Sequence, residues 1–110
     1  MKQSHTVVLE RNTEWKRRFE TEPYEAGWAS EAIFFVRLLS VEGSIVNALA
    51  QVQISPDGIH WCSEGTDLEI IPDVEMTHGR VLHFGNWLRL AGELPAGVAV
   101  KVIVYLVLKE

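Results

Sequence analysis

The stretch VNALAQVQISPDGIHWC, residues 46–62, alternates apolar and polar side chains and then contains the residues of a tight turn. Its even-numbered positions up to 54 are apolar and its odd-numbered ones are polar, with Leu49 as the exception. A period of two is typical of a strand that buries one face. Pro56 fixes φ, and Gly58 accepts the left-handed conformation that closes a bulged hairpin. The stretch therefore predicts a β-hairpin whose short return strand is residues 59–62.

The rest of the chain follows the same period. No window of 11 or more residues keeps the apolar spacing of a helix, and parallel strands would need crossover helices. We therefore predict an all-β chain, an antiparallel two-sheet β-sandwich of jelly-roll-like arrangement with about eight strands. Its 110 residues predict a single domain, residues 1–110. The predicted strands are residues 6–10, 17–21, 32–41, 46–54, 59–62, 68–71, 81–84, 87–91 and 98–108.

Charge and composition exclude several classes of protein. The net charge of −5 argues against a nucleic-acid partner, which needs a basic surface. The longest apolar run, residues 102–108, is far shorter than the ~20 residues of a membrane-spanning helix. Residues 1–5 are not followed by the apolar segment of a secretory signal peptide, and the single Cys62 allows no intramolecular disulfide. We expect a chain without a signal peptide that works in the cytoplasm or in a virion.

The two longest predicted strands, residues 32–41 and 98–108, carry apolar side chains on both faces. A sandwich buries only one face of each sheet, and an exposed second face would be larger than the apolar patches that monomers tolerate. We therefore predict a homo-oligomer that buries this second face. The alternative is that the N-terminal segment or the predicted crossing of residues 20–30 covers it. The predicted interface residues are Ile33, Phe35, Leu39, Ile103, Tyr105 and Val107.

Catalytic and metal-binding patterns are sparse. His60 and Cys62 share one face of the predicted return strand, but a metal ion normally needs three or four ligands, and no HxH, CxxC or HExxH spacing supplies the others. No GxSxG motif or phosphate-binding loop occurs either. We predict no metal, no cofactor and no enzymatic activity. A small metal-dependent enzyme would require His60, Cys62, His78 and His83 to converge.

Four tryptophans in 110 residues suggest a binding surface. Trp15, Trp28 and Trp87 lie near predicted strand ends or turns, where an exposed indole can stack on a sugar or contact a protein. We list these three as candidate ligand-binding residues. Trp61 follows the hairpin turn, and we expect it to pack back over the hairpin.

Two motifs together resemble a known group of modules. Residues 55–61 form an S-x-D-G-x-x-W hairpin, and Trp87-Leu88-Arg89-Leu90 precedes a Gly/Pro turn and the closing strand 98–108. This order resembles discoidin-like sandwich modules of carbohydrate- or surface-binding proteins, and it is similar to small phage-type structural proteins. The resemblance implies a jelly-roll-like sandwich with a binding or assembly role, and it names no ligand. The chain lacks the terminal cysteine pair that discoidin-like domains commonly carry.

From these observations we expect a non-enzymatic structural or assembly subunit of phage-virion type that forms a homo-oligomer. The alternative is a carbohydrate-binding module that uses exposed tryptophans. The expected partners are further copies of the chain, a glycan or another structural protein, with neither nucleic acid nor membrane.

Overall fold

The strands of the protein follow one another with short connections in a computed structural model that describes residues 3–45, 47–82 and 84–110. The described residues contain strands and turns and no helix, so the all-β prediction is confirmed. None of these residues forms a helix long and apolar enough to cross a membrane. Nine strands occur in the described part of the chain: β1 (Ser4–Lys16), β2 (Arg18–Glu20), β3 (Tyr24–Glu25), β4 (Glu31–Glu42), β5 (Leu49–Ser55), β6 (Cys62–Glu69), β7 (Met76–Leu82), β8 (Trp87–Glu93) and β9 (Ala99–Lys109).

The strands form two antiparallel sheets. Sheet A has the order β1-β9-β4-β7, and sheet B has the order β2-β8-β5-β6, with β3 also paired to β8. Along the chain the strands alternate between the sheets, except where β2 and β3, and then the β5–β6 hairpin, stay within sheet B. When β2 and β3 are counted as one interrupted strand, two sheets of four strands remain. This arrangement of eight strands in two sheets is that of a jelly-roll-like sandwich, as predicted.

A single apolar core fills the space between the sheets. In β9 every even-numbered side chain from Val100 to Leu108 is buried, as the alternation predicts. In β4 the buried side chains are Ala32, Phe34 and Val36. Sheet B contributes the opposite wall of the core with Phe19, Ala48, Ala50, Val52, Leu68, Ile70, Leu88, Leu90 and Leu94.

The pairing of β2 and β3 with β8 is interrupted around Pro23, which has no N–H to donate to a strand neighbour. Thr21 bridges the gap. Its backbone N–H donates to the Leu90 carbonyl, and its buried hydroxyl accepts the Leu90 N–H at 2.9 Å. Residues 26–30 then lead from sheet B to β4 in sheet A, a shorter crossing than the predicted residues 20–30, because Glu20 and Tyr24–Glu25 still pair with β8.

Several predicted boundaries were wrong. Residues 59–61 are a loop, and the return strand of the hairpin is Cys62–Glu69, which replaces the predicted strands 59–62 and 68–71. Strand β7 begins at Met76 and not at residue 81. The alternation in the predicted strand 32–41 places Val41 on the same outer face as Ile33 and Phe35, but a bulge between Leu38 and Ser40 turns it toward the core. Val46 was also predicted to point inward, and this residue lies outside the described residues.

Candidate functional site

The outer face of sheet A is apolar across its central strands. Register pairing places Phe35 beside Tyr105 and Ile33 beside Val107, and Val8 of β1 lies beside Tyr105 on the other side. Neighbouring side chains of the sheet leave Ile33, Phe35, Tyr105 and Val107 partly buried, and Val8 is 36% exposed. All six predicted interface residues lie on this outer face. We call the following set the apolar face: Val8, Ile33, Phe35, Leu39, Met76, Leu82, Ile103, Tyr105 and Val107.

The rim of the apolar face is the most exposed part of it. Leu39 is 42% exposed, Met76 46% and Leu82 53%. Met76 was not predicted because β7 was not recognised before residue 81, and Leu82, although inside the predicted strand 81–84, was not assigned to this face. The alternation of exposed and buried residues in β7 is visible only in the structure, because its inward positions begin with Thr77 and Gly79 and not with large apolar residues.

The two segments that were considered as covers of this face lie elsewhere. Strand β1 runs beside β9 at the edge of sheet A and extends the face with Val8. The crossing follows β3, which pairs with β8 in sheet B, and its Ala26 is fully buried in the core. A shallow groove of about 520 Å³ remains open between Phe35, Tyr105 and Met76, bordered by the ion pair of Arg37 Nε and Glu75 Oε1 at 3.4 Å. Within the described residues, the chain therefore does not wrap its own apolar face.

The tryptophans differ in their surroundings. Trp15 is only 2% exposed and stacks on Phe19 with ring centroids 4.0 Å apart. The prediction that Trp15 contacts a ligand is therefore corrected: it lies inward because its register partner is the buried Val100. Trp28 is 42% exposed after β3, and Trp87 is half-buried against Gly58 of the hairpin turn. Only Trp28 and Trp87 remain candidates from the predicted set.

The hairpin turn of residues 55–61 is organised by Asp57. One carboxylate oxygen, Oδ1, accepts the backbone N–H groups of Ile59 and His60, both at 2.8 Å, and the other, Oδ2, lies 2.7 Å from His60 Nδ1. The buried Ser55 hydroxyl accepts the Gly58 N–H and donates to Asp57. Because the backbone N–H groups of residues 59 and 60 are hydrogen-bonded to Asp57, these residues form a loop and do not join the return strand. Gly58 has φ of +78° here.

These hydrogen bonds lower the pKa of Asp57 well below its ordinary value, with the His60 backbone N–H as the largest cause, followed by the His60 ring and the Ile59 N–H. Each of these donors favours the charged carboxylate. The turn is thus held by an ionised aspartate at neutral pH.

We expect Asp57→Asn to destabilise the fold at neutral pH and to matter less in acid. Below the ordinary aspartate pKa of 3.8 the unfolded chain binds a proton that the folded chain resists, so the stabilisation by Asp57 begins to decline there and is lost completely only when the pH falls through the lowered pKa of the folded chain. Urea unfolding of both proteins at about pH 7 and about pH 3 measures the effect. The difference in unfolding free energy should shrink toward pH 3. A difference that stays constant or grows would contradict the role of the charged carboxylate.

The potential metal ligands are spread over the molecule. His60 and Cys62 are exposed at the hairpin of sheet B, and His78 is on the outer face of sheet A, 6.0 Å from Phe35 between ring centroids. Among the described residues no three histidine, cysteine, aspartate or glutamate side chains are placed to hold a metal ion. His83 lies outside the described residues.

No protein-family model matches the sequence, and no curated protein matches it. Solved structures share its fold. PBSX exported protein XepA is similar with a TM-score of 0.69 at 11% sequence identity, over 94% of this chain and 36% of XepA. SPBc2 prophage-derived protein YomS is similar with a TM-score of 0.52 at 10% identity, over 100% of this chain and 96% of YomS. This chain thus spans little more than a third of XepA, and at these identities the similarity concerns the fold.

Proposed function

We propose that this protein is a non-enzymatic structural subunit of a phage-type assembly and that it forms a homo-oligomer through the apolar face. The observation that carries the proposal is the row of large, partly buried apolar side chains on the outer face of sheet A, with more exposed apolar residues at its rim, which no described segment covers. Apolar patches of this extent on a soluble domain mark protein contacts. The proposed occupant of the face is a second copy of the same chain.

The size of sheet A supports this occupant. Strand β4 is 12 residues long and the sheet has four strands. The four strands have 13, 11, 12 and 7 residues, so at ~3.3 Å per residue and ~4.8 Å between strands the outer face has a flat footprint of about 680 Å². A standard protein interface buries about 800 Å² on each partner. A face-to-face contact that used the whole sheet would therefore be of ordinary size.

The charges around the apolar face are compatible with a contact between identical surfaces. At one end Glu14 lies beside Lys101, and at the other Glu31 lies beside Lys109. Each end of the face thus carries one negative and one positive side chain, so a twofold contact need not place like charges opposite each other. An apolar centre with a polar rim is the usual anatomy of a stable interface.

The setting of the proposed assembly comes from the similar structures. XepA is described as an exported protein of PBSX and YomS as a protein derived from the prophage SPBc2. Both have the fold of this chain, and that shared fold supports extending a phage-related role to it. Work in a virion or in the cytoplasm before assembly is compatible with this role.

The oligomeric state tests the proposal directly. Light scattering after size exclusion at about 100 μM, a concentration at which most chains are associated if the Kd is about 10 μM, should give a mean mass that approaches or exceeds twice the 12.4 kDa of the single chain. Dilution should lower that mass. A constant mass of 12.4 kDa at every concentration would overturn the homo-oligomer.

A further inference from the structure

The outer face of sheet B differs from the apolar face, because polar and charged side chains line an open groove of about 540 Å³ on it. We infer that this groove is a binding site for a neutral, polyhydroxylated ligand, a saccharide, and that Arg89 is its central binding residue. The proposal is independent of the homo-oligomer, since the two surfaces lie on opposite sheets. We call the following set the polar face: Arg18, Glu20, Gln51, Gln53, Arg89 and Glu93.

Arg89 is held in place before any ligand arrives. Its Nε donates to Gln53 Oε1 at 2.7 Å, and its Nη1 lies 3.0 Å from Glu20 Oε2. The guanidinium carbon lies 4.2 Å from the centroid of the Trp61 ring. The side chain of Arg89 is only 16% exposed. A side chain that is already ordered loses little entropy on binding, which is the advantage of a preorganised site.

The bonding capacity that remains suits hydroxyl groups. A guanidinium has five N–H donors, and Gln53 and Glu20 are the partners of Arg89 among the described residues, so further donors remain for a ligand. Glu20 and Glu93 offer carboxylate acceptors in the same groove. A sugar hydroxyl both donates and accepts, so neighbouring hydroxyls can contact the guanidinium and a carboxylate together.

The charge balance of the polar face argues against an ionic ligand. Arg18 and Arg89 are offset by Glu20 and Glu93 in the same groove. An anion such as phosphate would meet the two carboxylates, and a cation would meet the two guanidinium groups. A neutral ligand avoids both repulsions.

Two tryptophans border the site. Trp61 contacts the guanidinium of Arg89 and acts as a positioning residue that fixes its plane. Trp87 precedes Arg89 by two residues on β8, so it lies on the same side of the sheet. Its indole is half-buried and lies against Gly58 of the hairpin turn. The sequence analysis noted Trp87 but missed Arg89, Gln53 and Glu20, because their proximity depends on the pairing of β2, β5 and β8.

Affinity electrophoresis tests the site with native gels that contain soluble starch, hydroxyethyl cellulose, xylan or glycol chitin, together with a glycan array. We expect at least one polysaccharide to retard the protein. Arg89→Ala should weaken that binding at least about tenfold, because charged hydrogen bonds are lost. Arg89→Lys should also weaken it, since lysine keeps the charge but not the planar fork of donors.

Arg80→Ala is the matched control, because Arg80 is an exposed arginine on β7 of the other sheet. It should bind as the unchanged protein does, and thermal melting should show that all variants are folded. Absence of retardation in every gel together with an empty array would overturn the proposal. Equal binding by Arg89→Ala would overturn it as well, and so would binding of inorganic phosphate in preference to every polysaccharide.

Discussion

Replacing Phe35 with aspartate should dissociate the proposed homo-oligomer. Phe35 lies at the centre of the apolar face between Tyr105 and His78. A carboxylate placed there would have to lose its hydration in the contact without a partner of opposite charge, which is strongly unfavourable. In a twofold contact each copy carries the change. We expect the Kd of association to rise at least about 100-fold, which corresponds to ~2.7 kcal/mol.

Sedimentation equilibrium of the Phe35→Asp protein over a range of concentrations measures this change. Leu49→Asp is the matched control, because Leu49 is also an apolar strand residue, 37% exposed, but belongs to sheet B. Both variants lose a similar side chain and gain the same charge, so only their location differs. Phe35→Asp should be a folded monomer and Leu49→Asp should associate as the unchanged protein does. Association that persists in Phe35→Asp, or that is lost equally in both, would contradict an interface on the apolar face.

The alternation of apolar and polar residues was enough to predict the fold class and the inward faces of the main strands. Leu106 and Leu108 are buried and Tyr105 and Val107 are on the other face, as a period of two requires. The apolar face was predictable from the same alternation, because β4 and β9 carry large apolar residues at both their even-numbered and their odd-numbered positions. Their register, with Phe35 beside Tyr105, then brought the predicted interface residues into one surface.

The remaining features of the fold and of the polar face were not predictable, because they depend on local hydrogen bonds and on the pairing of strands distant in sequence. The return strand of the hairpin starts at Cys62 and not at residue 59, because the Asp57 carboxylate accepts hydrogen bonds from the backbone N–H groups of residues 59 and 60. The direction of Val41 depends on a bulge, which adds one residue to β4 and reverses the alternation after it. Arg89, Gln53 and Glu20 come from three strands far apart in sequence. Their proximity depends on strand order, which periodicity does not encode.

Trp15 illustrates the same limit, because its polar neighbours in sequence, Glu14 and Lys16, suggested an exposed indole while the fold buries it. We expect Trp15→Ala to lower the free energy of unfolding by about 3–5 kcal/mol, the usual effect of removing a large aromatic side chain from a core. Trp28→Ala is the control. Its indole is 42% exposed, and the change should be within about 1 kcal/mol.

Trp15→Phe separates packing from hydrogen bonding at this position. The indole Nε1 is buried and has no acceptor among the described residues, a situation that costs roughly 1–3 kcal/mol. Phenylalanine removes that N–H and keeps a ring against Phe19, so the smaller volume is partly offset and the loss should stay below about 2 kcal/mol. Urea unfolding in the Phe35→Asp background measures all three variants without coupling to association. If Trp15→Ala proved as mild as Trp28→Ala, the indole of Trp15 would not be part of the core; if Trp15→Phe proved as severe as Trp15→Ala, its N–H would have a partner that stabilises the fold.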